Sequence, residues 1–349
     1  MAQTQPLPRL VVGIDIAATT FTASWAHRDA APRRAQTFAQ EPSGFLALHN
    51  QLAAAGADPA TTLVVLEATS SYWISLAVYL HEAGYQLSVV NPRHVQAYAQ
   101  SLPRRAKTDP RDAQLLVQFG HDRATQLLRW TPPPSVYHEL RQRLSVRASL
   151  QQLRGQAANQ RHALVQWPVQ IASALEPLNA VIADLDTRIA TLEREIATVL
   201  RDGAWAASAA LLTGIKGIGT LTASWLLVTT LNFQLAATPE ALAAYAGLVP
   251  LPHESGSSVR KRRQIGHQGN QQLRTSLYLA TLSAAQHNPL IKPFYARLRA
   301  AGKPMKVARC AAARKLLRIA WAVVSNGKPF DPAYGSRPAT PAGVAGLLP

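Results

Sequence analysis

The chain has 349 residues, and its 36 lysines and arginines against 19 aspartates and glutamates give a formal net charge of +17. Apolar residues make up 48% and charged residues 16%, which excludes wholesale disorder and favours two domains over one. Cys310 is the single cysteine, so an intrachain disulfide and a cysteine-based zinc site are both excluded.

The charge is unevenly placed. Residues 1–130 hold 11 basic and 9 acidic groups and residues 131–200 hold 7 and 6, whereas residues 201–349 hold 18 and 4. A basic C-terminal part points to a polyanion partner, foremost nucleic acid. A membrane surface is the weaker reading, because no basic amphipathic helix or lipidation signal accompanies the charge. The opening "MAQTQPLPRL" has no apolar core of a signal peptide, and the most apolar run, Leu211–Leu231, is interrupted by Lys216 and three glycines. The expectation is a soluble cytoplasmic protein, nucleoid-associated when acting.

In chain order, "LVVGIDIA" (Leu10–Ala17) reads as a buried strand, and "FTASWAHRD" as its hairpin partner. "SGFLALHNQLAAAG" is helical, "TTLVVLEAT" a strand, and "SYWISLAVYLHEAG" a helix. "QLSVVNP" is a further strand before helical "RHVQAYAQSL". This order predicts a mixed sheet flanked by helices, an α/β domain over 8–130. The prolines of "RWTPPPSVYHEL" mark a boundary. Leu178, Ile182, Leu185, Ile189, Leu192, Ile196 and Val199 then recur at spacings of four and three, a heptad seam. Residues 131–204 are therefore expected to form a coiled-coil segment, as a helical hairpin or a dimer interface, with an opposing helix running from Leu140 and Leu144 toward Leu164.

Residues 205–330 read as mainly helical around an irregular centre. "LLTGIKGIGTLTASWLL" sets Gly217-Ile218-Gly219 between two apolar helical faces. This is similar to a helix-hairpin-helix element, whose turn brings backbone N–H groups to a phosphate, with Lys216 beside it. An ordinary glycine turn is an equal reading. "HESGSSVRKRRQIGHQG" (His253–Gly269) reads as a flexible basic loop in which Arg260, Lys261, Arg262 and Arg263 hold phosphates. Beyond it Arg274 and a helix bearing Lys306, Arg309, Arg314, Lys315 and Arg318 extend the basic surface. The tail 331–349, rich in Pro, Gly and Ala, is expected to be disordered.

Four carboxylates stand out. Asp15 lies inside the first strand and Glu67 ends "LVVLE", and such groups are costly in a sheet unless paired or bound to a metal. Asp109 and Asp112 in "KTDPRDAQLL" are three apart at a helix start and share a face. The set is able to hold two Mg²⁺ (or Mn²⁺) ions. Taken alone, helix capping is the stronger reading of Asp109 and Asp112, and Glu67 also suits a cap of the following helix. "GIDIAATTFTASW" also looks like the first phosphate loop of actin-like ATPases, but no second Gly-rich Asp loop is present.

The set Asp15, Glu67, Asp109 and Asp112, together with the later block "AGLVPLPHESGS…RRQIGHQGNQQLR", resembles the DEDD insertion-sequence transposases, a family of bridge-RNA-guided recombinases. Gly247, Leu248, Pro250, Ser255, Gly256, Ile265, Gly269, Leu273 and Arg274 fall in register with its C-terminal signature, and the likeness spans about Leu10 to Phe330. The resemblance implies an N-terminal domain of RuvC-like, RNase H-type fold with Asp15, Glu67, Asp109 and Asp112 as catalytic metal ligands. It implies a C-terminal transposase domain with Ser255 as nucleophile, forming a covalent phosphoserine link to DNA. The partners it implies are donor and target DNA, a structured bridge RNA, and further copies of the chain, at least as a dimer and with a tetramer also allowed. Glu254 stands where family members often have a second serine, so Ser257 and Ser258 are alternative nucleophiles. The competing function is a metal-dependent, structure-selective nuclease similar to a junction resolvase.

Overall fold

A continuous apolar run rich in β-branched residues satisfies both faces of a covered sheet, and such runs form its centre. In the computed structural model β1 (Leu10–Ile16), β2 (Thr20–His27), β3 (Gln36–Ala39), β4 (Thr62–Glu67) and β5 (Gln86–Val90) form a sheet of order β3-β2-β1-β4-β5. The structure describes residues 7–68, 71–102, 109–255, 259–266 and 268–333, with backbone alone at 109–110, 251–255 and 259–264. β1 is antiparallel to β2 and parallel to β4, which is parallel to β5. β3 pairs antiparallel with β2. The sequence pattern does not reveal β3, because its four residues bury one side chain, Phe38.

Each face of the sheet has its own core. Leu10, Val12, Ile14, Val64, Leu66 and Leu87 pack under α1 (Pro42–Ala54) and α2 (Trp73–Glu82). Val11, Leu63, Val65 and Val90 pack under α3 (Pro92–Ser101) and α4 (Asp109–Arg123). The N-terminal part is thus an α/β domain with helices on both sides of a mixed sheet, as the order of elements predicts.

The chain divides into two compact units at Pro132/Pro133. The second begins with α5 (Ser135–Val165) and α6 (Ala172–Asp202), which pack on each other as a hairpin within one chain. Ile182, Leu185, Ile189 and Ile196 of the heptad are buried, and Leu178, Leu192 and Val199 are partly so. Arg143–Glu195 at 3.1 Å, Arg147–Glu193 at 2.6 Å and Arg154–Asp186 at 2.9 Å lace the two helices together. The ends of the hairpin share a core with the C-terminal helices. Val136, Leu140, Leu144, Ile196 and Leu200 join Leu226, Leu277 and Leu316 in one cluster.

That core is enclosed by α7 (Ala206–Thr213), α8 (Thr220–Thr230), α9 (Pro239–Tyr245), α10 (Gln271–His287), α11 (Ile291–Ala300) and α12 (Met305–Asn326). One β-hairpin, β6 (Leu251–Ser255) with β7 (Val259–Gln264), interrupts the helices. The segment expected as a flexible loop is therefore a paired hairpin. Leu-Pro-His-Glu-Ser and Val-Arg-Lys-Arg-Arg-Gln lack the hydrophobic alternation that marks a strand, so the pairing is illegible locally. The expected disordered tail from Tyr334 onward, with Ser257 and Ser258, lies outside the described residues.

Candidate functional site

Two carboxylates of the N-terminal unit are set by strand register. β1 and β4 run parallel with Ile14 beside Leu66, so Asp15 and Glu67 come next at the carboxyl ends of neighbouring strands. Counting alternately back from each, they share a face with Val11 and Gly13 and with Leu63 and Val65, the face that α4 covers. Both are partly exposed, which suits charged groups at a strand end.

Gly13 determines how α4 lies on that face. A Cβ there would meet the Ala113 carbonyl and stand 2.6 Å from the Val117 nitrogen, so the helix backbone rests directly on the strand. Gly120 makes the matching approach lower down, where a Cβ would stand 2.5 Å from Val11 Cγ1 and 2.9 Å from Val65 Cγ2. α4 is thereby antiparallel to β1, and its N-terminus is directed toward the strand end that carries Asp15. Asp109 is the first residue of that helix and Asp112, partly buried, lies one turn on. A helix N-terminus favours carboxylates there. Gly13 leaves a signal in the sequence, since an isolated glycine inside a strand marks close backbone approach. Among the described residues no three His, Cys, Asp or Glu side chains stand together in a group able to hold a metal ion. The side chain of Asp109 is outside that description.

In the C-terminal unit Ser255 is the last residue of β6 and pairs with Val259 across the hairpin. Glu254 is opposite Arg260 and His253 opposite Lys261, so backbone pairing brings the basic run alongside the serine strand. Side chains of Ser255, Arg260, Lys261, Arg262 and Arg263 lie outside the described atoms.

The hairpin root is clamped. Gly247 and Gly269 both have positive φ, 68° and 91°, and a Cβ on Gly269 would lie 2.6 Å from the Gly247 nitrogen. The Arg274 guanidinium donates to the carbonyls of Gln268 at 3.0 Å and Ala246 at 3.4 Å. Asn270 caps α10 by accepting from Leu273 N–H at 3.0 Å, and its amide donates to Tyr245 Oη at 3.1 Å. Gly247, Gly269 and Arg274 of the C-terminal block thus form a fastening that fixes both ends of the serine hairpin. Expected as a nucleic-acid contact, Arg274 is here bound to backbone.

The glycine turn between α7 and α8 is similarly fastened. Gly217 has φ +103°, and a Cβ there would meet Ala284 of α10 at 2.5 Å. Buried Asn288 donates to the Lys216 carbonyl at 2.8 Å and accepts from Leu290 and Ile291 N–H groups. Gly217 therefore serves close packing, while the Lys216 side chain and Gly219 remain exposed. On α12, Lys306 and Arg314 line a cleft of about 1550 Å³, whereas Arg309 turns toward α10 with its guanidinium 5.9 Å from the Tyr278 ring. No helix among the described residues is long and apolar enough to cross a membrane.

Comparison with known proteins matches both parts of the chain. Residues 12–167 match a model described as a DEDD transposase of the IS110 type, and residues 209–296 match the transposase IS116/IS110/IS902 family. A pilin gene-inverting protein of Moraxella bovis is 31% identical over 328 residues, covering 93% of this chain and 98% of that protein. Its Moraxella lacunata counterpart is 31% identical over 327 residues with the same coverage. An insertion element IS110 protein of Streptomyces coelicolor is 34% identical over 120 residues, 34% of this chain and 29% of that protein.

Proposed function

Because the chain belongs to the IS110-type transposase family, a group of DNA transposases and recombinases, we propose that it cuts and rejoins DNA strands through a phosphoserine intermediate at Ser255. The observation that carries this reading is the fastened hairpin. Two glycines, Arg274 and Asn270 hold the root of an otherwise polar two-stranded element whose first strand ends in Ser255 and whose second carries four consecutive basic residues. A serine at the end of a strand that pairs with a run of cations able to hold a phosphate suits covalent catalysis.

The chemistry balances as two transesterifications. Ser255 Oγ attacks phosphorus and gives its proton to a base, and the P–O3′ bond breaks as the leaving O3′ takes up a proton to become a 3′-hydroxyl. A 3′-hydroxyl from the partner strand then attacks the phosphoserine, forming a new P–O3′ bond and freeing the serine. Phosphodiester energy is conserved, as strand exchange requires and hydrolysis does not allow. The names of the two Moraxella relatives support this, since inverting a gene requires that cut strands be rejoined.

The order β3-β2-β1-β4-β5, with β1 antiparallel to β2 and parallel to β4, supports an RNase H-type, RuvC-like reading of residues 8–130. Asp15, Glu67, Asp109 and Asp112 would hold Mg²⁺ or Mn²⁺, and their donor chemistry fits, being entirely hard carboxylate oxygen. A bound cation would supply Lewis-acid stabilisation of charge on the reacting phosphate. The carboxylates themselves would hold the cation, from two strand ends and a helix start. We read residues 131–204 as a coiled-coil hairpin, residues 205–330 as the transposase domain, and the active site as composed of carboxylates from one copy and Ser255 from another, in a dimer or tetramer. Selection of donor and target by pairing with a bridge RNA leaves the protein backbone and shape contacts, which suits a strong positive charge without a groove-reading motif.

The test is trapping on a labelled DNA substrate. Wild-type protein is expected to give a denaturant-resistant protein–DNA adduct that Ser255→Ala abolishes while Ser257→Ala and Ser258→Ala retain it. An undiminished adduct in Ser255→Ala refutes the serine assignment, and cleavage with water at wild-type rate in that variant supports a resolvase-like nuclease instead. Asp15→Asn with Asp109→Asn is expected to lower cleavage by about 100-fold or more with thermal unfolding unchanged.

A further inference from the structure

The cleft beside α12 lies wholly within the C-terminal unit, and its composition is unusual. Arg297, Lys303, Lys306, Arg314, Arg318 and Lys328 line it together with Lys315, against one lining carboxylate, Asp331. Among the described residues, Arg318 alone of these seven has a carboxylate partner, Glu240 at 2.8 Å. Lys315 is engaged by the Leu290 carbonyl at 3.1 Å and stands 4.7 Å from the Phe294 ring. Burial and Arg297 push its pKa down, a sign that positive charge is crowded there. The Nε of Arg314 is buried with no hydrogen-bond partner.

Among these cations stand three partly exposed aromatic rings, Phe294 of α11, Trp321 of α12 and Phe330 beyond it. Charge alone would serve any polyanion. Rings set among cations serve a polyanion that also offers flat apolar faces, and a nucleic acid offers those faces when its bases are unstacked. In a duplex the base faces are hidden, and only phosphates would reach the cleft. Leu248, Pro250 and Ile265, at the root of the serine hairpin, complete the lining, so a strand held here leads to the element that carries Ser255.

We propose that this cleft is a binding site for single-stranded nucleic acid, holding unstacked bases against Phe330 and Trp321 and the phosphates on Lys303, Lys306 and Arg314. The proposal rests on the recombinase reading for its place in the reaction, since strand exchange passes through unpaired strands, but its binding chemistry stands apart from the cleavage step.

The experiment measures binding by the full chain, without divalent metal, of labelled oligothymidylate, oligouridylate and a blunt DNA duplex. Phe330→Ala and Phe330→Leu are both expected to weaken the single strands about 10-fold, within the usual value of a base–aromatic stack. Duplex affinity is expected to change less than about 2-fold. Stronger binding of the deoxy or the ribo strand assigns the source of the strand. Wild-type affinity in Phe330→Leu, or equal weakening of the duplex, overturns the proposal. Photocrosslinking of a halogenated oligouridylate to wild-type protein is expected to label peptides containing Trp321 or Phe330, and absence of label from both counts against it even where a variant folds poorly. Binding needs no cleavage, so its failure leaves the serine adduct intact, and loss of the adduct leaves this binding measurable.

Discussion

Gly13 illustrates how one missing side chain positions others. Its absent Cβ leaves room for the α4 backbone, and any larger residue must push against a main-chain carbonyl and nitrogen rather than a flexible side chain. Gly13→Ala is expected to destabilise the fold by about 1–3 kcal/mol and to lower strand cleavage further than that loss of folded protein explains, because α4 carries Asp109 and Asp112. Urea unfolding and cleavage on the same preparation separate the two effects. Gly155 of α5 gives the contrast, since a Cβ there meets nothing within 4 Å. Gly155→Ala is expected to stabilise by about 0.5–1 kcal/mol without touching activity. His121, on the last turn of α4, has its pKa pushed down by burial, against the opposing pull of a hydrogen bond to the Ala26 backbone and of Asp122. A depressed folded pKa means the unfolded chain binds the proton more readily. Stability is therefore expected to fall as pH drops below about 6.5, the unfolded value, and His121→Gln to flatten that part of the pH profile in chemical denaturation.

At the scale of elements, burial outweighs charge. The Arg–carboxylate pairs across α5 and α6 are part exposed, so Arg147→Ala is expected to cost less than about 1 kcal/mol. Ile196, fully buried where the hairpin joins the C-terminal core, is expected to cost about 2–5 kcal/mol as Ile196→Ala, and denaturant midpoints of the two variants check the ranking. The same contrast governs what a reader of the sequence sees. β1, β4, β5 and the α6 seam are legible because continuous apolar runs and heptad spacing record burial directly. β6 and β7 are not, because their residues are polar and their pairing depends on Gly247 meeting Gly269 from 22 positions away. The residue types at the candidate site are legible as Asp15, Glu67, Asp109, Asp112 and Ser255. Their supports are hidden, since Gly13 acts through a helix about 100 residues later, and the cleft gathers Phe294, Trp321 and Phe330 from separate elements.

For the whole molecule, charge tracks the division into units. The first holds 11 basic and 9 acidic groups, and the second holds 25 and 10. Affinity for a duplex depends on counterions released by the cations that touch phosphate, each contributing about 0.9 to the slope of log K against log salt. If contacts were spread by overall charge, neutralising any two arginines would change the slope alike. If they lie in the second unit, as the charge distribution argues, Arg262→Gln with Arg263→Gln is expected to lower the slope by about 1.8. Arg33→Gln with Arg34→Gln in the first unit is expected to leave it unchanged. Titrations of one unrelated duplex at several salt concentrations decide this, because each slope counts contacts without regard to sequence. Equal reductions in slope for the two double variants would place the duplex on both units.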